Sequence, residues 1–428
     1  MNSRRLLSLL AVCGWLWWIP YAMAQEDPDL GALNLADQIA PVAATPSNWR
    51  NFAEVAAAGT QMRADRQGQT SERLSFDLNY DNSFASGWRV LFADRLDVNN
   101  PAQTPENHTV NTIREAYLSW QAQTGQLLDL GRINERNGVA LGYNPTDYFK
   151  TAALRSIVSV DPNSLKINRQ GSIMLRAQQL WDSGAATLLY SPKLDGSRDP
   201  GSFNPALAST NNEQRWLLKV SQQFSEGLTP QWLIFQSEQL PVQFGFNLTS
   251  LIDDASVVYL EWSGGRSPSL LTQALRQQGL PAGDDSEFRQ RLATGLTYTT
   301  SNKISLSAEW NYNGAGMNSS QWDSFRQGPL PLYAVYRTRL QASQDAPTKQ
   351  AAMLYLSWQD VGINHLDLTA MERLDLNDSS RLSWLEWRYH LSHSEFALQW
   401  QGNSGSRLTN YGAAPQVQSW AVVGRVYF

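Results

Sequence analysis

The sequence predicts an all-β protein, a transmembrane antiparallel up-and-down β-barrel of about 16–18 strands. Three observations lead there. Apolar and polar residues alternate with period two through most of the chain. The alternating segments run about ten residues each, the length at which a tilted strand crosses hydrocarbon. Short and long connections alternate between them, as in barrels with tight turns at one end and long loops at the other.

Composition agrees with this class. Of 428 residues, 42% are hydrophobic and 17% charged, whereas soluble chains average about a quarter charged. There are 17 Trp, 15 Tyr and 14 Phe. Beyond residue 24 no stretch offers the roughly 20 apolar residues of a membrane helix. A formal net charge of −5 without a basic block argues against a nucleic-acid partner.

Residues 1–24 read as a secretory signal peptide. Arg4 and Arg5 form the charged start, Leu6 to Pro20 is apolar, and Ala22-Met23-Ala24 precedes Gln25. The only cysteine, Cys13, lies inside this segment. The mature chain therefore has no thiol, which excludes a cysteine-ligated metal, a thiol nucleophile and a c-type haem. Residues 25–49, rich in Pro and Ala, are expected to form a periplasmic tail or short plug helix, and 50–428 the barrel.

The strands follow in order. In 71–82, Leu74, Phe76, Leu78 and Tyr80 share one face, and Arg73, Ser75, Asp77 and Asn79 the other. The pattern recurs at 87–98, 111–122, 125–133, 171–181, 184–193, 214–224 and 229–239. In 214–224, Leu217 is an apolar exception on the polar face. Further segments lie at 255–263, 288–299, 303–313, 350–360, 364–374, 382–392, 395–403 and 416–428. Soluble sandwiches, β-helices and propellers also alternate. Here the polar faces, dense in Arg, Gln, Asn and Ser, are too polar for a dry core. Trp88, Trp120, Trp181, Trp216, Trp262, Trp310, Trp358 and Trp400 sit near the ends of apolar faces, as in interfacial girdles. No repeat of fixed length supports a propeller or solenoid. Short links fall near Gly87, Gly125, Gly184, Ser301 and Gly362, and long ones at 134–169, 195–212, 264–286 and 314–348.

The final strand ends Gly-Arg-Val-Tyr-Phe. It resembles the C-terminal strand of Gram-negative outer-membrane barrel proteins. The resemblance implies outer-membrane localisation and recognition by the barrel-assembly machinery through Trp420, Val422, Val426 and Phe428. Gly131-Arg132 followed by Gly142-Tyr143-Asn144-Pro145-Thr146-Asp147-Tyr148-Phe149 resembles stretches of porin-like and alginate-export-like barrels, without deciding a substrate.

With apolar residues toward lipid, their neighbours face the lumen. The inward bases are then Arg73, Arg89, Arg95, Arg176, Arg215, Lys219, Arg289, Arg291, Arg373, Arg388 and Arg425. The inward acids are Asp77, Asp97, Glu115, Asp129, Glu261, Glu309, Asp367 and Glu386. Loss of Arg4 and Arg5 takes the net charge from −5 to −7, so the acidic excess falls mostly in loops and the lumen leans weakly positive. Rings of Arg or Lys bias pores toward anions. The alternative is that these arginines pair with the acids across strands and stiffen the wall. The link 134–169, carrying Arg136, Asp147, Arg155 and Asp161, is expected either to fold inward as a constriction or to pack outside.

Enzyme chemistry has little support. On an alternating strand His390 and His393 face opposite sides, and no serine motif accompanies His365. No metal or cofactor is expected. The expectation is a porin-like channel for hydrophilic solutes, leaning toward anions, in contact with outer-membrane lipids. Its alternatives are an export pore for an anionic exopolysaccharide and a plugged structural or secretion-partner barrel. The oligomeric state is not legible.

Overall fold

The computed structural model describes residues 47–101, 108–195 and 201–428. The signal peptide and most of the expected N-terminal tail lie outside the described residues.

Eighteen strands form one sheet. The first nine are β1 (Phe52–Met62), β2 (Gly68–Ala85), β3 (Trp88–Asn100), β4 (Thr109–Gln123), β5 (Gln126–Ile133), β6 (Ser172–Trp181), β7 (Gly184–Ser191), β8 (Arg215–Gln222) and β9 (Gln231–Ser237). The second nine are β10 (Gln243–Asp253), β11 (Ser256–Ser267), β12 (Glu287–Thr299), β13 (Ile304–Asn313), β14 (Gln350–Trp358), β15 (Leu366–Asp375), β16 (Arg381–His390), β17 (Ser394–Ser404) and β18 (Gln416–Tyr427). Each pairs antiparallel with its chain neighbours. β1 closes the ring against β18, with Phe52 opposite Tyr427. Closure of β1 on β18 removes the free edges that an open sheet would present to lipid at that seam.

The alternation expected from sequence sets the two faces. Along β13, Leu306, Ala308 and Trp310 are exposed, and Ser305, Ser307, Glu309 and Asn311 are buried within the ring. Trp88 stacks on Trp120 on the outer face, with ring centroids 5.6 Å apart. A closed barrel with an apolar outer band is an outer-membrane architecture, and the outer membrane is where this chain resides. At one end, the periplasmic end by the same rule, every link has two to eight residues, and all the long links lie at the other.

Two strands escaped the sequence reading. β1 carries alanine on both faces, so it shows no period. In β10 the alternation lasts only from Phe244 to Leu248. Among the long links, helices Leu270–Gln277, Ser319–Arg326 and Leu330–Ser343 pack together through Leu270, Trp322, Tyr336 and Leu340.

Candidate functional site

The link between β5 and β6 turns into the barrel and crosses it. Two wall carboxylates hold it by its main chain. Glu261 on β11 accepts the backbone N–H groups of Val139 at 3.0 Å, Ala140 at 3.1 Å and Thr146 at 2.7 Å. It also accepts the Thr146 hydroxyl at 2.9 Å and the Asn144 amide at 3.1 Å. Glu309 on β13 accepts the N–H groups of Leu141 at 2.8 Å, Gly142 at 3.1 Å and Tyr143 at 3.0 Å, and the Tyr259 hydroxyl at 2.9 Å. Buried carboxylates are stable when charge-assisted donors surround them in this way. The close approach needs glycine: at Gly138, with φ +101°, a Cβ would lie 2.4 Å from a Glu261 oxygen.

Other contacts carry the loop to distant parts of the ring. Arg373 on β15 donates to Gly142 O at 3.0 Å, Tyr355 on β14 to Asp161 at 3.0 Å, and Arg73 on β2 to Val158 O at 3.4 Å. Phe149 is buried with Met174, Leu189, Leu217, Leu233 and Phe235, the inward residues of β6 to β9. The exception at Leu217 thus marks where the loop docks. Sequence reasoning noted the residue and missed its meaning.

Most expected pore-lining arginines are paired along the wall. Arg388 meets Glu386 at 2.9 Å and Glu395 at 2.7 Å; Arg425 meets Glu54 at 2.8 Å and Glu395 at 3.4 Å. Arg73 and Arg95 both reach Glu54, at 2.7 and 2.9 Å, and Arg95 also reaches Asp97 at 2.9 Å and Asp77 at 3.7 Å. Arg114 adds a contact to Asp77 at 2.6 Å. This ladder runs unbroken from β16 through β18 to β4. On the strands next to β4, Arg176 of β6 pairs with Asp129 of β5 at 2.8 Å and with Glu135 at 3.1 Å. The cross-strand pairing alternative therefore describes this part of the wall. Glu54 was missed with β1. Arg114 was missed because a bulge between Ala93 and Asp94 shifts the register of β4, which alternation cannot reveal.

The remaining candidates separate. Arg89 pairs with Asp81, and Arg289 with Glu287 at the rim at 2.7 Å. Glu309 and Arg215 face inward but line no open space. Glu309 is sealed by the loop. Arg215 is 2% exposed, bonded to the Thr210 carbonyl with its guanidinium 4.6 Å from the Phe149 ring centre. On the loop, Asp147 pairs with Arg169, Asp161 caps the helix Pro162–Ile167, and Arg136 is half-buried. Arg155 leaves the lumen for the wall, donating to Asn111 O at 2.7 Å and Asn204 O at 2.8 Å.

Open space lies on the long-loop side of the crossing. A cavity of about 320 Å³ is lined by loop residues including Lys150, Leu154, Ile157, Lys166 and Arg169, and by Asp345, Lys349, Met353 and Arg373 from the facing side. Half of the mature chain's six lysines line it. Lys150 lies 3.5 Å from Asp345. Burial opposes ionisation of Asp345, but Lys150 and Arg291 nearby outweigh it and hold its carboxyl below the usual range. Burial pulls Lys166 down to about 8. Its ammonium donates to Ala140 O at 2.9 Å. Among the described residues, no cluster of three His, Cys, Asp or Glu could hold a metal ion.

Comparison with solved structures follows from this architecture. OccAB1 of Acinetobacter baumannii matches with a TM-score of 0.55 at 9% identity, over 89% of this chain and 96% of that one. OccK5 (OpdH) of Pseudomonas aeruginosa matches with a TM-score of 0.52 at 10% identity, over 89% and 98%. The fold is that of an outer-membrane porin. Such identities carry the fold alone. No family model matches the sequence, and no curated protein matches it. The porin fold accounts for the ring, the girdles and the long-loop end. The assignment of individual lumen residues rests on the geometry above.

Proposed function

We propose that this barrel is an outer-membrane channel for small hydrophilic solutes that favours anions. The cation-rich cavity above the inner loop carries this reading. Lys150, Lys166, Lys349 and Arg373 line it, and Asp345 is the acid set against them. A channel lined in this way lowers the cost of a carboxylate or phosphate leaving water. The paired ladder elsewhere is close to neutral, so the preference is assigned to the cavity and not to the whole wall. In this reading the inner loop, with Asp147 and Asp161 turned to its own support, is the constriction. The outward row Trp420, Val422, Val426 and Phe428 serves the barrel-assembly machinery.

The dense anchoring of the inner loop favours one second reading, a plugged barrel. Single-channel recording of the refolded mature protein in planar bilayers, with reversal potential under a salt gradient, separates the two. Steady openings with an anion-selective reversal potential support the channel. Openings seen only after deletion of 134–169 point to a gated pore, as an exopolysaccharide exporter would need. Silence in both forms supports the plugged barrel.

A further inference from the structure

We propose that the outer half of the wall between β4 and β6 is a lateral doorway, through which anion-headed amphiphiles pass between the lumen and the outer leaflet. The proposal goes beyond an axial channel and does not depend on its ion preference.

The wall is incomplete there as a sheet. β4 pairs with β5 only from Ala116 to Gln123, because β5 ends at Ile133 where the chain turns inward. Residues 109–115 of β4 keep β3 on one side and have no strand on the other. Ala116 lies four residues from the girdle residue Trp120, roughly 10 Å along the barrel axis for a tilted strand. The strandless edge therefore starts within the apolar band, about 25 Å tall in such barrels. An open edge in hydrocarbon is what membrane barrels avoid.

A short piece of the β7–β8 link closes the notch instead of a strand. Asn111 N–H donates to Ser202 O at 3.0 Å. Gly171 N–H, just before β6, adds a second main-chain bond, to Arg114 O at 2.9 Å. The rest of the seal is side chain on carbonyl. Arg132 reaches Pro205 O at 2.6 Å, Gln170 the same oxygen at 2.8 Å, and Arg155 reaches Asn204 O at 2.8 Å and Gly201 O at 3.2 Å. Two main-chain bonds and a few long side chains are far easier to release than a strand ladder. The flap carries Phe203, 70% exposed.

The latch is also tied to the lumen. Arg155 belongs to the inner loop, two residues from Ile157, which is 66% exposed and lines the cavity. Leu154, Val160 and Leu165 line the same cavity, near Lys150 and Arg373. An apolar floor beside cations fits a solute with an alkyl body and an anionic head. A solute seated on Ile157 presses on the segment that carries the latch.

The mature chain has no cysteine, so Asn111→Cys with Ser202→Cys places a single disulfide across the closed notch. The probe is dodecyl sulfonate, permanently charged, dissolved in the planar bilayer, and the readout is block of the ion current. Oxidation should reduce that block tenfold or more, and reductant should restore it. Open-channel conductance and block by water-soluble ethyl sulfonate should stay within twofold. Equal dodecyl sulfonate block in both redox states, or failure of the two cysteines to join in the folded barrel, overturns the proposal. Arg155→Ala, which frees the latch, should speed the onset of block severalfold; an unchanged onset also overturns it. A barrel that conducts but shows no redox effect loses only the doorway, whereas one that never conducts loses the axial channel.

Discussion

Glu309 takes up the inner loop where Glu261 leaves it: Glu261 accepts the amides of Val139 and Ala140, and Glu309 those of Leu141, Gly142 and Tyr143. Glu309→Ala strands three main-chain donors in a dry site. Each buried unsatisfied donor costs about 1–3 kcal/mol, so the folded barrel should lose about 3 kcal/mol or more in urea unfolding from vesicles. Current through the variant should be noisier and larger. Glu309→Gln keeps one acceptor oxygen and should lose less.

Lys349→Gln removes a cavity cation that no anchoring contact uses. The reversal potential should move toward the cation side, with anion preference falling roughly twofold. Unfolding midpoints should not change. An unmoved reversal potential would remove the cavity as the source of selectivity.

Lys166 gives the selectivity a pH dependence. Burial lowers its pKa to about 8, so the ammonium is charged below that pH and neutral above it. Anion preference should fall as pH rises through about 8, well below the titration of a free lysine. Lys166→Met should show the lower preference throughout and lose the step. The sign for stability is opposite: the unfolded chain binds the proton more tightly, so stability from this residue rises from pH 8 toward 10.5.

Arg95 is 3% exposed and serves three carboxylates, Glu54, Asp77 and Asp97. Arg95→Met leaves buried charge without compensation, which costs about 3–5 kcal/mol. The heat-shift of the folded band on gels should move to lower temperature. Its effect on reversal potential should be smaller than that of Lys349→Gln, because Arg95 is spent on the wall.

The ring was legible because its signal is local. Leu306, Ala308 and Trp310 announce an outward face through spacing alone, and sixteen of the eighteen strands overlap segments read in this way. β1 was hidden by Ala56, Ala57 and Ala58, which fit either face. The lumen was less legible because its logic is long-range. Alternation shows that Glu309 faces inward, but not that a loop some 170 residues earlier in the chain covers it. The bulge that turns Arg114 inward leaves no mark in composition. Leu217 was the visible trace of the loop's docking site, since an inward leucine needs an apolar neighbour that the strands alone do not supply.

The inner loop is gripped through its peptide groups. Glu261 and Glu309 address N–H donors that nineteen of the twenty amino acids possess, apart from the glycine that each close approach demands. Loop side chains that look into the cavity without a polar partner, such as Ile157, contribute little to that grip. They are therefore free to be exchanged without dislodging the segment that bears them. A wall fixed by arginines and a loop fixed by its backbone together make a socket whose chemical preference can be rewritten by substitution, while the shape of the passage is inherited intact.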